Sequence, residues 1–433
     1  MRKIILTIAA LVLAASAWAQ DFQTGYFLNG YTQAYKLNPA IRPDKSFLAL
    51  PGIGGFDIIS RSNIGLDDIF YPVSGGKLGT FMHPEVDAKD FLSRLKSSNK
   101  VVENNHINIL GLGFRKGLAY HTFDISIRTA GGASVPYELF SFLKEGISDH
   151  IVIPSLSVEE DLFLEVAYGL NFKVNGIVSV GGRIKYLAGL MNTRVGIENL
   201  TVSTDYSGRW MVSGSAYGKM AWKGATAKTK ADEAGETIID GVDTKSFDGV
   251  AGHGAAIDLG VVVDVIPGVR LSAALCDVGG VKWNYNIRGK RDSVWEYNGD
   301  ADDVEDDLAN LLELKVCDAS KEFRMLPATF RLGAEWSKLP FVTFGLLGTH
   351  RFGNVPWTEL RASANFKPFK VLGASVSAAA GSFGFSWGAA MNLNLKVINL
   401  FLGMDAIPTR FTPQFIPLGK ANLGLSFGIN ITY

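Results

Sequence analysis

The carboxy-terminal segment of the chain, residues 420–433, alternates at every step between apolar residues and polar or small ones. Successive side chains of a β-strand point to opposite faces, so this segment predicts a strand with one apolar face. The apolar positions are Ala421, Leu423, Leu425, Phe427, Ile429, Ile431 and Tyr433. A bilayer is crossed by about 9–11 tilted residues, so the predicted strand is long enough to span one.

The same alternation recurs upstream, in segments 162–173, 178–186, 257–275 and 382–395. Within the third segment, Pro267-Gly268 is a tight-turn signature, which predicts a hairpin of two strands. Strands in hydrocarbon must close into a barrel, because an open edge would leave backbone groups unsatisfied. The sequence therefore predicts an all-β fold, a closed antiparallel transmembrane β-barrel of about 14–16 strands, with sixteen the favoured number.

The links between the predicted strands alternate between tight turns and longer segments. The longer links include 223–252, 288–323 and 405–419, and the first two hold much of the charge. Short periplasmic turns and long outer loops are typical of outer-membrane barrels. Two small loop helices are predicted to fold over the barrel mouth, Asp302 to Lys315 from its apolar stripe and Pro136 to Gly146 from its terminal residues.

The amino-terminus has the pattern of an export signal. Arg2 and Lys3 precede an apolar stretch, and Ala17-Trp18-Ala19 gives the small-x-small pattern of a cleavage site. This predicts a signal peptide at residues 1–19 and a mature chain that begins near Gln20. The remaining chain is predicted to divide into an amino-terminal hatch or plug segment, residues 20–45, and a barrel, residues 46–433.

The composition agrees with an exported barrel. The chain has 42 Lys or Arg and 42 Asp or Glu residues, so nothing in its net charge points to nucleic acid. It has only two cysteines, Cys276 and Cys317, whereas an exported domain stabilised by disulfides would carry more. A single bridge and two free thiols both remain open from the sequence.

No motif in the chain predicts catalysis. Gly384-Phe385-Ser386-Trp387-Gly388 matches the G-x-S-x-G nucleophile elbow, but that motif needs a strand-to-helix turn and this segment is predicted to be a strand. The six histidines are scattered, and no spacing links one of them to a serine. The chain is therefore predicted not to be an enzyme.

No motif predicts a metal site or a cofactor either. The acidic run 298–309 begins like an EF-hand loop, yet Asp303 stands where glycine is needed and Ala309 where glutamate is needed. A solvated helix start is the favoured interpretation of this run. Divalent bridging between this loop and lipopolysaccharide remains open.

The faces of the predicted strands indicate the kind of lumen. Inward positions are mainly Gly, Ser, Ala and Asn, and a diffusion porin would instead line its lumen with charge. Isolated charges are predicted at Arg183, Lys185, Asp258, Asp264 and Arg270. Such a lining suits a plugged barrel or a conduit for hydrophobic molecules. The aromatic residues near strand ends are predicted to form interfacial girdles: Trp210, Trp283, Trp336, Trp357 and Tyr433.

Two local patterns resemble a known family. Residues 20–45 are rich in aromatic residues, and Asn38-Pro39-Ala40 resembles the Asn-Pro-Ala of FadL-type hydrophobic-compound transporters, whose amino-terminal hatch blocks the lumen. The segment is also similar to PorV-type barrels of Bacteroidota, which serve type IX secretion. The aromatic carboxy-terminus resembles the strand recognised by the barrel-assembly machinery, with Leu425, Phe427, Ile429, Ile431 and Tyr433 as the signal.

The resemblance implies a location in the outer membrane of a Gram-negative bacterium of the Bacteroidota, near uncharacterised barrels of that group. Implied partners are outer-membrane lipid, lipopolysaccharide, the barrel-assembly machinery and a hydrophobic ligand, with no nucleic acid. The function it implies is passive uptake of hydrophobic or amphipathic small molecules. The alternative is a non-conducting barrel that acts as a scaffold for a surface secretion or adhesion complex. Neither the ligand nor the oligomeric state follows from the sequence.

Overall fold

The protein forms one closed β-barrel of fourteen antiparallel strands. The computed structural model describes residues 22–146, 150–204, 210–232, 234–244, 248–297, 313–406, 420 and 422–433. The predicted signal peptide lies outside the described residues. The barrel class is confirmed, and fourteen is the lower end of the predicted range, so the favoured number of sixteen is wrong.

The barrel strands are numbered here in chain order. The first strand, β1, has two segments, Phe47–Ala49 and Phe56–Ser62, and β8 has two segments, Ser320–Met325 and Thr329–Leu339. The other strands are β2 Ser98–Lys116, β3 Ala119–Pro136, β4 Leu156–Lys173, β5 Val178–Thr204, β6 Gly252–Ile266, β7 Val269–Tyr285, β9 Val342–Arg351, β10 Trp357–Phe369, β11 Leu372–Gly381, β12 Gly384–Asn394, β13 Ile398–Met404 and β14 Leu423–Thr432.

The barrel closes between its first and last strands. Phe47 of β1 is in register with Thr432 of β14 on one side and with Gly113 of β2 on the other. The backbone N–H of Tyr433 donates to the carbonyl oxygen of Ser46 at 3.1 Å. The two ends of the barrel chain therefore meet at the end of the barrel that carries the short turns, which is the periplasmic end in barrels of this kind.

The barrel sheet continues upward from the outer end of the barrel as an extension that is called the outer sheet here. Strand β5 has 27 residues, roughly 90 Å of extended chain, which exceeds what a bilayer requires. Its lower half pairs with β6, and its upper half pairs with a further strand, Trp210–Trp222, which pairs in turn with Ile287–Tyr297. The remaining strands of this outer sheet are Ala225–Ala231, Thr237–Thr244, Lys315–Val316 and His150–Ile153.

This outer sheet corrects the predicted loops. The links 223–252 and 288–323 were predicted as long irregular segments, but both contain paired strands. No hydrocarbon surrounds a strand above the bilayer, so its residues do not have to alternate as those of a spanning strand do, and its period-two signal is weak. The predicted helix Asp302 to Lys315 lies outside the described residues over 302–312, and Lys315 begins a two-residue strand.

The inside and outside faces of the barrel follow the predicted alternation. In β14 the inward side chains Ser426 and Asn430 are fully buried, whereas the outward Ile431 is 41% exposed. Leu332 and Leu360 are likewise more than half exposed on the outer surface, as lipid-facing residues of a barrel would be. Among the described residues, no helix is both long and apolar enough to cross a membrane.

Three short helices lie in the outer loops. They are α1 Leu66–Ile69, α2 Ala88–Arg94 and α3 Tyr137–Glu145. The helix predicted between Pro136 and Gly146 is confirmed, with Pro136 at its N-cap and Gly146 ending it at φ 74°. A small hairpin, Phe70–Val73 with Lys77–Thr80, completes this loop region.

The loop helices pack around an apolar centre, called the outer cluster here. Its members are Ile64, Phe81, Val86, Phe91, Leu92, Leu95, Val101, Val135 and Phe140. The rings of Phe81 and Phe91 stack at 4.6 Å. At its edge the Lys144 ammonium donates to the His83 carbonyl oxygen at 3.1 Å, and burial lowers the pKa of this lysine. The outer loops are thus packed around their own apolar core.

The predicted aromatic girdle is only partly correct. Trp336 and Tyr433 are exposed, at 38% and 72%, but Trp283 and Trp357 are buried inside. Trp283 packs over Gly189 of β5, where a side chain would leave no room for its ring. The side chain of Trp210 lies outside the described part of the structure. Cys276 and Cys317 are free thiols, which settles the open question in favour of no bridge.

Candidate functional site in the barrel lumen

The amino-terminal segment, residues 22–45, lies inside the barrel and is called the plug segment here. It contains two short 3₁₀ turns, Gln23–Gly25 and Ala34–Lys36, and no strand. Its apolar side chains form a cluster with three residues of the barrel wall. The cluster consists of Phe22, Tyr26, Leu28, Tyr31, Ala34 and Leu37 with Leu347, Ala390 and Phe401. Phe22 meets Tyr31 edge to face at 5.7 Å, and Tyr31 meets Phe401 at 4.9 Å.

The beginning of the plug segment is held by a carboxylate of the wall. The two oxygens of Asp405 accept from the backbone N–H groups of Gln23 and Thr24 at 2.6 and 2.7 Å. Arg361 lies 3.5 Å from the same carboxylate, which balances its charge. The hydroxyl groups of Thr24 and Ser377 lie 2.8 Å apart. Every one of these tethers runs through a side chain and none through strand pairing.

The middle of the plug segment is held by lumenal asparagines of the last strands. Asn392 and Asn399 donate to the carbonyl oxygens of Asn29 and Gly30 at 3.0 and 3.2 Å. Asn430 donates to the Thr32 hydroxyl at 3.0 Å. The sequence predicted these positions as a small polar lining, and the structure shows that they bind the plug segment.

Asn38, Pro39 and Ala40 lie against the opposite wall. The side-chain oxygen Oδ1 of Asn38 accepts from the Ala40 backbone N–H at 2.9 Å, which forms a local turn. The Asn38 amide donates to the Tyr26 hydroxyl at 3.0 Å and to the Ala273 carbonyl oxygen at 3.3 Å. Asn38 is fully buried, so its amide group joins the turn to the plug core and to β7.

Two wall glycines make room for this turn. A Cβ atom at Gly181 of β5 would overlap the Pro39 carbonyl group, and one at Gly260 of β6 would overlap the Asn38 side chain. Gly182 faces the other way, and a Cβ atom there would meet nothing nearer than the Asp258 carbonyl oxygen at 3.6 Å. The Asn-Pro-Ala turn therefore packs directly against the backbone of the wall at Gly181 and Gly260, a site called the seat here.

A buried group of charges, called the lumenal ion cluster here, lies beside the seat. Its seven members are all at most 8% exposed: Asp124, Arg128, Glu165, Arg183, Lys185, Asp258 and Asp277. Arg183 reaches Asp124 at 3.0 Å and Asp258 at 3.1 Å. Lys185 joins Asp258 to Asp277, and Arg128 joins Asp277 to Glu165, all within 2.9 Å.

This cluster corrects the prediction of isolated lumenal charges. Arg183, Lys185 and Asp258 belong to one network across neighbouring strands, while Asp264 and Arg270 pair with each other at 2.8 Å near the short-turn end. A register shift between Ile257 and Leu259 lies opposite Asp277, whose φ is 61° and whose N–H donates to Asp258 at 2.8 Å. Such irregularities re-aim side chains, and here one completes the cluster.

Tyr35 links the plug segment to the lumenal ion cluster. Its hydroxyl donates to Asp124 at 2.5 Å, and its ring lies 5.4 Å from the Arg183 guanidinium carbon, a cation–π distance. The position of the plug segment and the arrangement of side chains in the lumenal ion cluster therefore depend on each other.

An apolar groove lies on the lipid-facing surface directly behind the seat. Its volume is about 530 Å³, and it includes exposed side chains such as Ile184 and Leu259 around Gly182. A cavity of about 10 Å³ lies on the inner side of the same wall, between Pro39, Ile41 and Gly182. One strand thickness separates the groove from the plug segment at this point.

A small cluster of apolar side chains lies at the outer end of the barrel. Val102, Val355, Trp357 and Phe383 pack together there from four parts of the wall and its loops. Ser386 of the G-x-S-x-G sequence lies in strand β12, and its hydroxyl accepts from Arg61 at 3.4 Å. Among the described residues, no group of three or more His, Cys, Asp or Glu side chains has a metal-binding arrangement.

The predicted assembly signal lies on the outward face of β14. Leu425, Phe427 and Ile429 are half-buried, and Ile431 and Tyr433 are exposed. All five side chains lie on the lipid-facing side of the strand, but their role in assembly stays a prediction.

We expect deletion of Tyr433 to impair assembly, because it removes the exposed terminal ring and the closing contact with Ser46. The measurement is the fraction of protein that migrates as a folded, heat-modifiable barrel in outer-membrane fractions, expected to fall severalfold. Tyr433→Phe is the matched control and should assemble normally. Normal assembly of the deletion variant would contradict the signal.

The comparisons with known proteins give a family and a set of similar folds. A family of unknown function (DUF5723) matches residues 39–405. The fold is similar to a TodX deltaS2S3 mutant monoaromatic hydrocarbon channel (9% identity, 92% and 94% of the two chains, TM-score 0.46). It is also similar to the Ralstonia pickettii toluene transporter TbuX (10%, 92% and 92%, 0.42) and to a Pseudomonas aeruginosa FadL homologue (11%, 96% and 98%, 0.42). No curated protein matches the sequence.

Proposed function

Since this chain belongs to the DUF5723 family, whose function is unknown, we propose a function from its geometry. The protein is an outer-membrane β-barrel of a Gram-negative bacterium for passive uptake of hydrophobic or amphipathic small molecules. It carries out no covalent chemistry. The Asn38-Pro39-Ala40 turn acts as a hatch. The origin in the Bacteroidota stays a prediction.

One observation carries this proposal: in the part of the chain that the structure describes, the segment that fills the lumen is bound to the wall through side-chain contacts and not as a further strand. A segment that had to close the lumen permanently could instead pair with the barrel wall as a further strand. Each side-chain hydrogen bond contributes only about 1 kcal/mol net, because water can replace it. The plug segment can therefore shift without any loss of the hydrogen-bond ladder that keeps the barrel closed.

An apolar groove in the barrel wall supports the same function. The groove at Gly182 lies on the lipid side of the wall behind the hatch, and its lining is mainly apolar. A molecule released by a shift of Asn38 and Pro39 leaves either through the lumen or laterally toward this groove.

The alternative, a non-conducting surface scaffold for a secretion or adhesion complex, is favoured by two other observations. The outer sheet extends the barrel beyond its spanning strands. An apolar cluster lies on that side, formed by Val102, Val355, Trp357 and Phe383. Under this alternative the barrel would admit no small molecule in any state of the plug segment.

A reversible cross-link tests the proposal. Thr24→Cys with Ser377→Cys places two thiols where hydroxyl groups now lie 2.8 Å apart. The assay is the uptake rate of an apolar fluorescent probe, N-phenyl-1-naphthylamine, by cells whose lipopolysaccharide excludes it. We expect cells with the reduced double variant to take up the probe at the rate of cells with the native barrel. Cells with the oxidised double variant should take it up only at the rate of cells that lack the barrel.

The single variants Thr24→Cys and Ser377→Cys are the controls and should not respond to oxidant. Native and reduced barrels that admit no more probe than empty cells would overturn uptake in favour of the scaffold. Rapid uptake by the oxidised form would show instead that the start of the plug segment does not have to move.

A further inference from the structure

The six described hairpin turns at the periplasmic end share an unusual composition. They are residues 115–118, 173–178, 264–270, 337–341, 367–371 and 395–398, called the turn ring here. Together they contain eight Lys or Arg residues and one Asp. The whole chain has 42 basic and 42 acidic residues, so the rest of the chain has seven more acidic than basic residues. Positive charge is thus concentrated at one end of a neutral molecule.

Every turn of the ring also exposes large apolar side chains. Leu118 is 84% exposed, Val174 64%, Phe341 68% and Phe369 67%. Val265, Ile266, Leu339, Val371, Leu395 and Val397 are exposed as well. Apolar side chains at turn tips are unfavourable in water, so this ring is suited to a partly apolar surrounding.

The charges of the ring are available for a partner. Lys338, Lys367, Lys370 and Lys396 are exposed, and within the described residues none of them forms an ion pair. Arg270 differs, because it pairs with Asp264 and approaches Glu335 at 3.7 Å. The basic surface of the ring therefore consists of its lysines and Arg115.

The geometry points to one occupant: we propose that the turn ring binds the phosphate groups of anionic phospholipids in the inner leaflet. The apolar tips enter the acyl boundary while the lysine ammonium groups reach the phosphates. The pattern repeats on turns all around the barrel, as a surrounding leaflet requires, whereas an acidic protein would cover one side. The inference rests on the outer-membrane location but not on uptake.

The test measures which lipid lies beside Trp336, an exposed indole two residues from Lys338. Among the described residues, Trp387 is the other exposed indole, and it is removed by Trp387→Phe. The barrel is placed in phosphatidylcholine vesicles with brominated phosphatidylglycerol or brominated phosphatidylcholine as quencher. We expect brominated phosphatidylglycerol to quench Trp336 fluorescence as strongly as if this lipid were enriched about threefold or more beside Trp336 over its bulk fraction. The enrichment should be smaller in 1 M salt.

Two quadruple variants locate the effect. Lys338→Gln, Lys367→Gln, Lys370→Gln and Lys396→Gln together should abolish the enrichment. The control removes four exposed lysines of the outer loops and upper strands, Lys89→Gln, Lys228→Gln, Lys282→Gln and Lys321→Gln, and should keep it. Heat-modifiable migration of all variants verifies folding.

Equal quenching by the two lipids in the native barrel would overturn the proposal and leave the ring to an acidic periplasmic protein. Loss of enrichment in the control variant would overturn it too, because the lipid would then recognise the overall charge. Both results are independent of the probe-uptake assay, so the two proposals can fail separately.

Discussion

Replacing Gly181 by valine should unseat the hatch and make the closed barrel leaky. A Cβ atom at this position would overlap the Pro39 carbonyl group, and backbone cannot move aside as a flexible side chain can. Overpacking of this kind costs about 1–3 kcal/mol, which would raise the population with a detached hatch by about 5- to 150-fold. The measurement is conductance in planar bilayers together with probe uptake in cells.

Gly182→Val is the matched control for this result. It adds the same side chain one residue away, on the lipid face, where the nearest atom would be 3.6 Å distant. Gly182→Val should therefore fold and stay closed like the native barrel. If Gly181→Val stays closed as well, with normal heat-modifiable migration, then the Asn-Pro-Ala turn does not close the lumen.

Replacing Arg183 by methionine should be the most destabilising change in the wall. The substitution leaves the buried Asp124 carboxylate without its cation and leaves Asp258 with Lys185 alone. It also removes the partner of the Tyr35 ring. Breaking a buried ion pair by removing one partner costs about 3–5 kcal/mol. The measurement is the free energy of unfolding from urea titration of the barrel in lipid vesicles.

Arg270→Met provides the control, because its pair with Asp264 is 2.8 Å long but both side chains are more than a third exposed. Such a pair contributes about 1 kcal/mol at most. Equal destabilisation by the two substitutions would show that the buried ion pairs of Arg183 contribute no more to the free energy of unfolding than an exposed pair does. Neutralising its carboxylates together, with Asp124→Asn and Asp258→Asn in the Arg183→Met variant, should restore part of the loss.

The sequence predicted the barrel because the bilayer imposes a period on every strand that crosses it. In β14 each outward residue is apolar and each inward residue is polar or small. This one strand therefore already indicated hydrocarbon on its outer face and a polar interior on its inner face. The turn signature Pro267-Gly268 was equally local, since it depends on the φ of 80° that Gly268 adopts. Features of this kind depend only on neighbouring residues.

The lumenal ion cluster could not be predicted in the same way. Asp124, Glu165, Arg183 and Asp277 lie on different strands, and only the register between strands brings their side chains together. One residue of slip would turn any of them to the lipid side. The outer sheet was missed for a different reason, because its strands lie outside the hydrocarbon that imposes the alternation. The seat for the hatch left only a faint signal, the glycine pair Gly181-Gly182 and the single glycine Gly260.

The tethers of the plug segment also constrain the order in which the protein folds. Asp405 and Gln23 are bound to each other although 382 residues separate them, and Asn430 and Thr32 are separated by 398. Contacts of such sequence separation form slowly, because a long loop must close first. The binding surface for the plug segment does not exist until the last strands have joined the barrel. The segment that emerges first after export is therefore the last to reach its native position, and it must be kept from aggregating until then.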